Sequence, residues 1–202
     1  MRPSGGGSMA DRGTMEFCRF SLEGPLEIKP RRIEDNRGYF SEVFRLDQFA
    51  NQVEMVEFVQ ENQSLSIHAG TIRGIHFQTE PAAQGKLVRC LAGELFDVAV
   101  DLRRASPTFG QWISTILSPE QNNQIWIPVG FGHGFCTLQP NSIVSYRVTA
   151  YYSPSNDKGL IWNDPDVAIQ WPDIVDVESL SAKDRNLPLL ADLPAYFSQK
   201  AG

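Results

Sequence analysis

The amino-acid sequence predicts an all-β fold, an antiparallel β-sandwich or jelly roll with short helices near the C-terminus. Short segments that alternate apolar and polar residues recur about every ten residues, and clusters of Gly, Pro, Asn and Ser separate them. No stretch shows the alternation of strands and helices that is typical of parallel α/β sheets. Residues 173–190 mix acidic, apolar and turn residues instead, which predicts one or two short helices.

The composition indicates one domain, because 42% hydrophobic residues in a chain of 202 can build a proper core. The 18 Lys and Arg residues against 24 Asp and Glu give a formal net charge of −6. Proteins that bind nucleic acids or membrane surfaces normally present a basic face, so neither partner is expected. We expect residues 1–14, rich in Gly and Ser, to be a disordered leader or an artificial remnant, and residues 15–202 to form a single jelly-roll domain.

The apolar runs and the cysteines predict a cytoplasmic protein. No apolar run approaches the roughly 20 residues that a membrane span needs, and the N-terminus has no apolar signal-peptide block. Cys18, Cys90 and Cys136 are odd in number, widely spaced and without a CxxC pair. We therefore expect reduced thiols rather than a disulfide framework or a thiolate metal site.

The individual elements follow from period-two alternation and from turn residues. The strand patterns lie at residues 16–22, 39–44, 55–64, 72–78, 86–91, 95–102, 111–118, 125–138, 143–152 and 159–163. Residues 46–53 predict a short helix, and residues 35–38 have turn chemistry. In the tail, Ser181 and Asp184 have the spacing of a capping box, in which the serine begins a helix.

The stretch from residue 71 to residue 91 contains an unusual concentration of ionisable side chains. Its two strands and their loop bring together His76, Arg73, Lys86 and Arg89 beside a sheet core of an acidic protein. A site that binds an anionic small molecule and moves a proton on it would explain this concentration. Strict alternation puts Arg73 and His76 on opposite faces, so a bulge, a twist or donation to a neighbouring subunit would be needed to bring both to one site.

For each candidate residue, the local pattern leaves a structural alternative open. His76 could be a core histidine with satisfied hydrogen bonds, His133 could owe its place to the tight glycines around it, and Tyr146 could be a core tyrosine. Lys86 could face an oxygen that becomes negative during a reaction, or it could extend from a strand end to solvent. Arg37 could contact a phosphate or be an exposed hairpin arginine. No His-x-His pair with an acid is present, so no metal site is expected.

Ten motifs between residues 17 and 190 carry a family resemblance. In chain order they read DNRGYFSE, FVQENQS, TIRGIHFQ, QGKLVRC, GELFDVAVDLR, SPTFGQW, IPVGFGHGF, YYSPSND, IWND and LSAKD. The chain resembles the dTDP-4-dehydrorhamnose 3,5-epimerases. The resemblance implies a cupin-like jelly roll, no cofactor, and a homodimer that exchanges N-terminal strands. It also implies epimerisation of dTDP-4-dehydro-6-deoxy-D-glucose at C3 and C5, giving dTDP-4-dehydro-L-rhamnose.

The same resemblance implies roles for individual residues. His76 matches the family's base, Asp184 the carboxylate that orients it, and Tyr146 the acid on the opposite face of the sugar. Lys86 and His133 match the residues around the C4 oxygen of the sugar. The remaining matches near the ligand are Arg37 and Arg73 at the diphosphate, together with Glu42, Gln60 and Asn62. For stacking on the thymine, the candidate is Tyr151, with Tyr152 as the other possibility.

Three other functions compete with this expectation. A C3-only or C5-biased epimerase would share the same histidine, aspartate and tyrosine. A 4-ketosugar isomerase of the same fold is disfavoured because all the epimerase motifs are present. A non-catalytic jelly roll that only binds a sugar nucleotide is disfavoured because His76, Asp184, Tyr146 and Lys86 are all retained.

Overall fold

The computed structural model describes residues 15–198. The predicted leader, residues 1–14, lies outside the described residues, as do the last four residues of the predicted domain. The described strands are β1 (Glu16–Arg19), β2 (Leu26–Lys29), β3 (Arg32–Asp35), β4 (Gly38–Ser41), β5 (Gln60–Ser66), β6 (Ile72–Gln78), β7 (Lys86–Ala92), β8 (Leu95–Asp101), β9 (Trp112–Leu117), β10 (Gln124–Ile127), β11 (Phe131–Thr137), β12 (Ser142–Val148) and β13 (Asp157–Gly159).

Two antiparallel sheets form the body of the protein. One has the strand order β1-β2-β10-β7-β12-β5, and the other has the order β13-β6-β11-β8-β9. A separate hairpin pairs β3 with β4. Apolar side chains of both sheets meet in one core cluster, among them Val88, Leu95, Ile125, Phe131 and Val144. The predicted antiparallel jelly roll is therefore confirmed.

The helices are short and lie outside the sheets. Helix α1 (Leu46–Gln52) buries Phe49 against the ring of Trp126, with the ring centroids 5.2 Å apart. Helix α2 (Ala182–Arg185) lies near the C-terminus between two 3-10 turns, Val177–Ser179 and Leu190–Asp192. Both predicted helical regions are confirmed. Within residues 15–198, no helix is long and apolar enough to cross a membrane.

Several strand predictions were wrong in extent. The single strand expected at residues 125–138 is divided into β10 and β11, because Pro128 has no N–H to donate and Gly130 turns the chain with a φ of +97°. Residues 55–59 lie outside β5, since Val56 and Phe58 pack beside α1, and only the Val59 amide donates a hydrogen bond to the carbonyl of Val148 at the end of β12. The strand expected at residues 39–44 ends at Ser41, and the one expected at residues 159–163 lies instead at β13.

Candidate active site

A pocket with a volume of about 320 Å³ opens where β5, β6, β7, β12 and β13 come together with α2. Its lining residues are Gln60, Asn62, His76, Phe77, Gln78, Gln84, Lys86, Tyr146, Tyr152, Asp157 and Lys183. A larger hollow of about 770 Å³ lies beside α1, and its walls are mainly apolar. We assign the site to the smaller pocket because it brings together a histidine, a lysine and a tyrosine, side chains that can take or give protons.

His76 and Asp184 form a hydrogen-bonded pair at this pocket. Nε2 of His76, on β6, lies 2.6 Å from Oδ1 of Asp184, on α2. A carboxylate only accepts hydrogen bonds, so in the neutral ring Nε2 carries the hydrogen and Nδ1 keeps its lone pair. The Ser181 Oγ atom accepts a hydrogen bond from the Asp184 amide, which begins α2 in the way that the capping-box spacing predicts.

The Asp184 side chain is only 5% exposed, yet it remains acidic. Burial by itself raises the pKa of this carboxyl, but hydrogen bonds from His76, from Ser181 and from the backbone of Gly74 outweigh burial and lower the pKa below its ordinary value. The carboxylate is therefore negative at neutral pH. It can orient the imidazole and stabilise a positive charge on the ring.

Gly74 allows β6 and β11 to approach closely beside this pair. Its φ is +126°, and a Cβ atom at this position would lie 2.5 Å from the Cα atom of Gly134. A side chain at residue 74 would therefore separate the two strands. The close approach brings His76 directly opposite His133 in the strand register.

An irregularity in β6 explains how Arg73 and His76 can serve one site. His133 pairs with His76 and Phe135 pairs with Arg73, so two steps along β11 match three steps along β6. The extra residue shifts the alternation, as a bulge does. The Arg73 guanidinium donates hydrogen bonds to the Ser66 hydroxyl and to the Leu65 carbonyl, both at 3.1 Å. Burial raises the pKa of Tyr146, and the positive charge of Arg73 offsets part of this rise.

Lys86 is buried at the start of β7, with 8% of its surface exposed. Its Nζ atom donates a hydrogen bond to the carbonyl oxygen of His76 at 3.2 Å. Burial lowers the pKa of the ammonium group to about 8, although the negative charges of Asp157 and Asp97 oppose this effect. Lys86 therefore faces the pocket interior, and the alternative of a strand-end lysine that extends to solvent does not hold.

Tyr146 lies on β12 across the pocket, between Asn62 of β5 and Val88 of β7 in the sheet register. Burial raises the pKa of its hydroxyl, and the Arg73 charge offsets part of this rise. The hydroxyl therefore stays protonated at neutral pH and can act as a proton donor.

His133 lies below the pocket surface rather than among its lining residues. Its Nε2 atom is 2.9 Å and 3.1 Å from the two carboxylate oxygens of Asp97, and both residues are buried. Sequence reasoning missed Asp97. The available signal was the pair Asp97 and Asp101, which alternate with the apolar residues of β8 and are both fully buried. Asp101 has a structural role, since it accepts hydrogen bonds from Arg103.

Two further charged residues at the pocket were also missed. The Lys183 ammonium lies 2.6 Å from Oδ2 of Asp157, and the Tyr152 hydroxyl donates to the same oxygen at 3.1 Å. Both tyrosines are exposed, but Tyr152 lines the pocket and Tyr151 does not. Of the two stacking candidates, Tyr152 is thus the one that the fold brings to the pocket.

Arg37 and Glu42 do not line the pocket of their own chain. Arg37 sits at the turn of the β3–β4 hairpin with a side chain that is 84% exposed, and it forms an ion pair with Asp35. The Glu42 carboxylate follows the same hairpin and lies 3.7 Å from Arg45. Of the eleven predicted site residues, five line the pocket, namely Gln60, Asn62, His76, Lys86 and Tyr146. Asp184 is hydrogen-bonded to His76, and the charge of Arg73 acts on Tyr146. The other four, His133, Tyr151, Arg37 and Glu42, do not line the pocket.

Comparisons with known proteins agree with this geometry. A family model described as dTDP-4-dehydrorhamnose 3,5-epimerase matches residues 19–192. A dTDP-4-dehydrorhamnose 3,5-epimerase from Sinorhizobium fredii is 51% identical over 192 residues, covering 95% of this chain and 97% of the relative.

Two solved structures are also similar. The epimerase from Bacillus anthracis, solved with TDP and PPi bound, has a TM-score of 0.83 and 45% identity, and the match covers 87% of this chain and 99% of the other. The enzyme from Legionella pneumophila, in complex with dTDP-4-keto-L-rhamnose, has a TM-score of 0.86 and 40% identity, with coverage of 93% and 100%. The chain belongs to the dTDP-4-dehydrorhamnose 3,5-epimerase family.

Proposed function

We propose that this isomerase inverts C3 and C5 of dTDP-4-dehydro-6-deoxy-D-glucose and so forms dTDP-4-dehydro-L-rhamnose, with His76 as the base. The observation that carries the proposal is the 2.6 Å pair of His76 and Asp184 at a pocket that also contains Lys86 and Tyr146. The C4 ketone of the sugar acidifies the hydrogens on both neighbouring carbons, so proton transfer alone can invert them. The carbonyl itself accepts the electrons, and no cofactor is needed.

In the first step, Nδ1 of His76 takes the proton from C3 or C5. The C–H bond breaks, and its electron pair moves into the ketone to give an enolate with the negative charge on O4. The ionised Asp184 carboxylate stabilises the imidazolium ion that forms. The Lys86 ammonium is a preorganised donor in a largely buried site and stabilises the enolate oxygen, helped by the buried His133.

In the second step, Tyr146 gives its hydroxyl proton to the same carbon from the opposite face. A new C–H bond forms with inverted configuration, and O4 becomes a ketone oxygen again. The raised pKa of Tyr146 keeps the hydroxyl protonated beforehand, and the nearby Arg73 charge stabilises the phenolate left behind. Exchange with water then returns a proton to Tyr146 and removes one from His76.

The nucleotide would lie along the wall that carries Tyr152. Arg73 would contact the diphosphate, and Gln60 and Asn62 would lie near the ligand. The thymine would stack on Tyr152 rather than on Tyr151, because Tyr152 lines the pocket. Stacking of a base on an aromatic ring contributes roughly 1–3 kcal/mol.

Arg37 and Glu42 would act in the pocket of a second copy, in a homodimer that exchanges N-terminal strands. The hairpin that carries Arg37 also exposes Ile33, Tyr39 and Phe40, which a second chain could cover. Light scattering would give the oligomeric state. Co-expression of Arg37→Ala with His76→Ala subunits tests the exchange, since each mixed dimer would contain one intact site of two. Purified mixed dimers should therefore recover about half of the wild-type activity, and a randomly paired mixture about a quarter. No recovery in verified mixed dimers would show that Arg37 serves its own chain.

A cytoplasmic location is part of the proposal. Cys18, Cys90 and Cys136 are free thiols in the structure, which is the state that a reducing compartment maintains. Cell fractionation with an antibody against the native protein would test this location, and recovery in a secreted or membrane fraction would contradict it.

The decisive experiment follows deuterium by proton NMR when the purified protein is given dTDP-4-dehydro-6-deoxy-D-glucose in D2O. Incorporation at C3 and C5, lost in His76→Ala, is the expected result. His68→Ala is the matched control, because His68 is an exposed histidine outside the pocket. Label at C3 alone would identify a C3-only epimerase. No label, in a protein that still binds the nucleotide, would favour the non-catalytic binding protein.

A further inference from the structure

Three glutamine side chains hold the segment that follows β12 and forms one wall of the pocket. Each of the four consecutive residues 150–153 uses one backbone group in this way. The bonds join Gln84 Nε2 to the Ala150 carbonyl at 2.7 Å, Gln78 Nε2 to the Tyr151 carbonyl at 3.1 Å, the Tyr152 amide to Gln60 Oε1 at 3.1 Å, and the Ser153 amide to Gln78 Oε1 at 2.7 Å.

The glutamines take the place of a neighbouring strand. The chain leaves the sheet after Val148, so its backbone groups need other partners. A side-chain amide has a donor and an acceptor, as a peptide group has, and can therefore satisfy them. Gln60 belongs to β5, Gln78 to β6, and Gln84 to the loop before β7, so three separate parts of the fold anchor one short segment.

Gln78 is the centre of this arrangement. It is only 4% exposed, and besides its two bonds to the segment its Nε2 atom donates to the Ala82 carbonyl at 2.7 Å. Both of its donor hydrogens and its acceptor oxygen are thus used by backbone groups. Although Gln78 lines the pocket, its amide is committed to the wall rather than free for a ligand.

We propose that Gln78, together with Gln60 and Gln84, is a positioning residue that holds Tyr152 against the nucleotide, so that nucleotide affinity depends on it and proton transfer does not. The inference rests on the proposed function, which puts the thymine on Tyr152. His76, Asp184 and Lys86 make none of their hydrogen bonds with residues 150–153. Loss of the glutamine bonds should therefore raise KM and leave kcat nearly unchanged.

The test replaces Gln78 with methionine, which has a similar length but no amide. We expect the KM for the dTDP-sugar, and the Kd for dTDP measured by calorimetry, to rise about tenfold, within the range that loss of one base–aromatic stack allows. The kcat should stay within about twofold. Gln170→Met is the matched control, because Gln170 also donates its amide to a backbone carbonyl, that of Ala168 at 3.0 Å, but outside the pocket.

A double-mutant cycle separates positioning from a general loss of stability. If Gln78 acts through Tyr152, the single variant Tyr152→Ala should raise KM. The double variant Tyr152→Ala/Gln78→Met should then have a KM only slightly higher than that of Tyr152→Ala. Additive increases in KM, or a KM for Gln78→Met within about twofold of wild type, would overturn the inference. Should Gln78→Met fold poorly, Gln84→Met removes one bond to the same segment, and a rise in KM of about threefold is then expected; an unchanged KM overturns the inference.

Deuterium uptake tests the proposed function, and the Kd for dTDP tests the role of Gln78 separately. A wild-type protein that binds dTDP without taking up deuterium would remove the epimerase proposal. The Kd series with dTDP would still test whether Gln78 positions Tyr152, because that measurement does not depend on turnover.

Discussion

Nε2 of His76 lies 2.6 Å from Oδ1 of Asp184, although 108 positions separate the two residues in the chain. Strand β6 supplies the imidazole, and the four-residue helix α2 supplies the carboxylate. Because the hydrogen bonds to Asp184 lower the pKa of its carboxyl in spite of burial, the partner of the ring is negative before reaction. A base of this kind becomes stronger as the partner stabilises its protonated form.

Asp184→Asn should show how much the charge of this partner contributes. Asparagine has the same size and can still accept a hydrogen bond from His76, but it has no charge to stabilise the imidazolium ion. We expect kcat to fall by roughly 10²–10⁴-fold, the range for general acid–base catalysis, with little change in KM. Steady-state kinetics at neutral pH provides the measurement. Glu178→Gln, which changes an exposed carboxylate just before α2, is the control, and a kcat for Asp184→Asn within tenfold of wild type would contradict the role of the charge.

Lys86 should make catalysis decline in mildly alkaline solution. Burial lowers the pKa of its ammonium group to about 8. The enolate is stabilised by the charged form only, so kcat/KM should fall tenfold per pH unit above about pH 8. A pH profile from 6 to 10 with wild type and Lys86→Met measures this. The decline should be absent in the variant, which has a low activity throughout, and a wild-type profile that stays level to pH 10 would rule out an essential ammonium with this pKa.

The same lysine should make the folded protein more stable as the pH rises, whereas it makes catalysis slower. Its pKa is about 8 in the folded chain and has an ordinary value of 10.5, so between these values the unfolded chain holds a proton that the folded chain does not. Stability therefore rises with pH in this window, by up to about 3 kcal/mol from this group. Urea unfolding of wild type and Lys86→Met at pH 7.5 and pH 10.5 measures it. The stability of wild type relative to the variant should increase with pH, whereas a constant difference would show that the pKa of Lys86 is not lowered.

Tyr146→Phe should separate proton removal from inversion. His76 can still take a proton and return one to the same face, but nothing gives a proton from the other face. We expect deuterium to enter the substrate at C3 or C5 without formation of the epimer. Proton NMR in D2O distinguishes the two products by their coupling constants. Tyr196→Phe is the control, since the Tyr196 ring packs on Phe77 and does not line the pocket; epimer formation at the wild-type rate by Tyr146→Phe would exclude Tyr146 as the acid.

The sequence predicts the individual strands of this fold better than the contacts between residues of different strands and helices. Alternation identifies β6, β7 and β8, and the spacing of Ser181 and Asp184 identifies the start of α2. No local pattern connects His76 with Asp184, so that pair was expected only from the family resemblance. Asp97 was missed because its role depends on His133 of the neighbouring strand β11.

Local irregularities account for other differences between pattern and structure. The register shift opposite His133 moves Arg73 and His76 out of strict alternation, and a one-residue change of this kind leaves no sequence signal of its own. The pair Tyr151 and Tyr152 is similarly ambiguous in sequence. The glutamines that hold residues 150–153 lie 66 to 92 positions away in the chain, so no local pattern shows how these two residues are held.

We expect Ser181 to connect the stability of a very short helix to catalysis. Its hydroxyl oxygen accepts a hydrogen bond from the Asp184 amide at 3.0 Å, and the side chain of the same aspartate bonds to His76. Ser181→Ala removes the N-cap, which should lower the free energy of unfolding by about 1 kcal/mol. Because Asp184 then loses its backbone anchor, kcat should fall by about tenfold even at temperatures where the protein is fully folded. Urea unfolding and steady-state kinetics measure the two effects. Ser181→Thr keeps a capping hydroxyl and should restore most of both, whereas an equal loss of kcat in the threonine variant would show that the cap does not position Asp184.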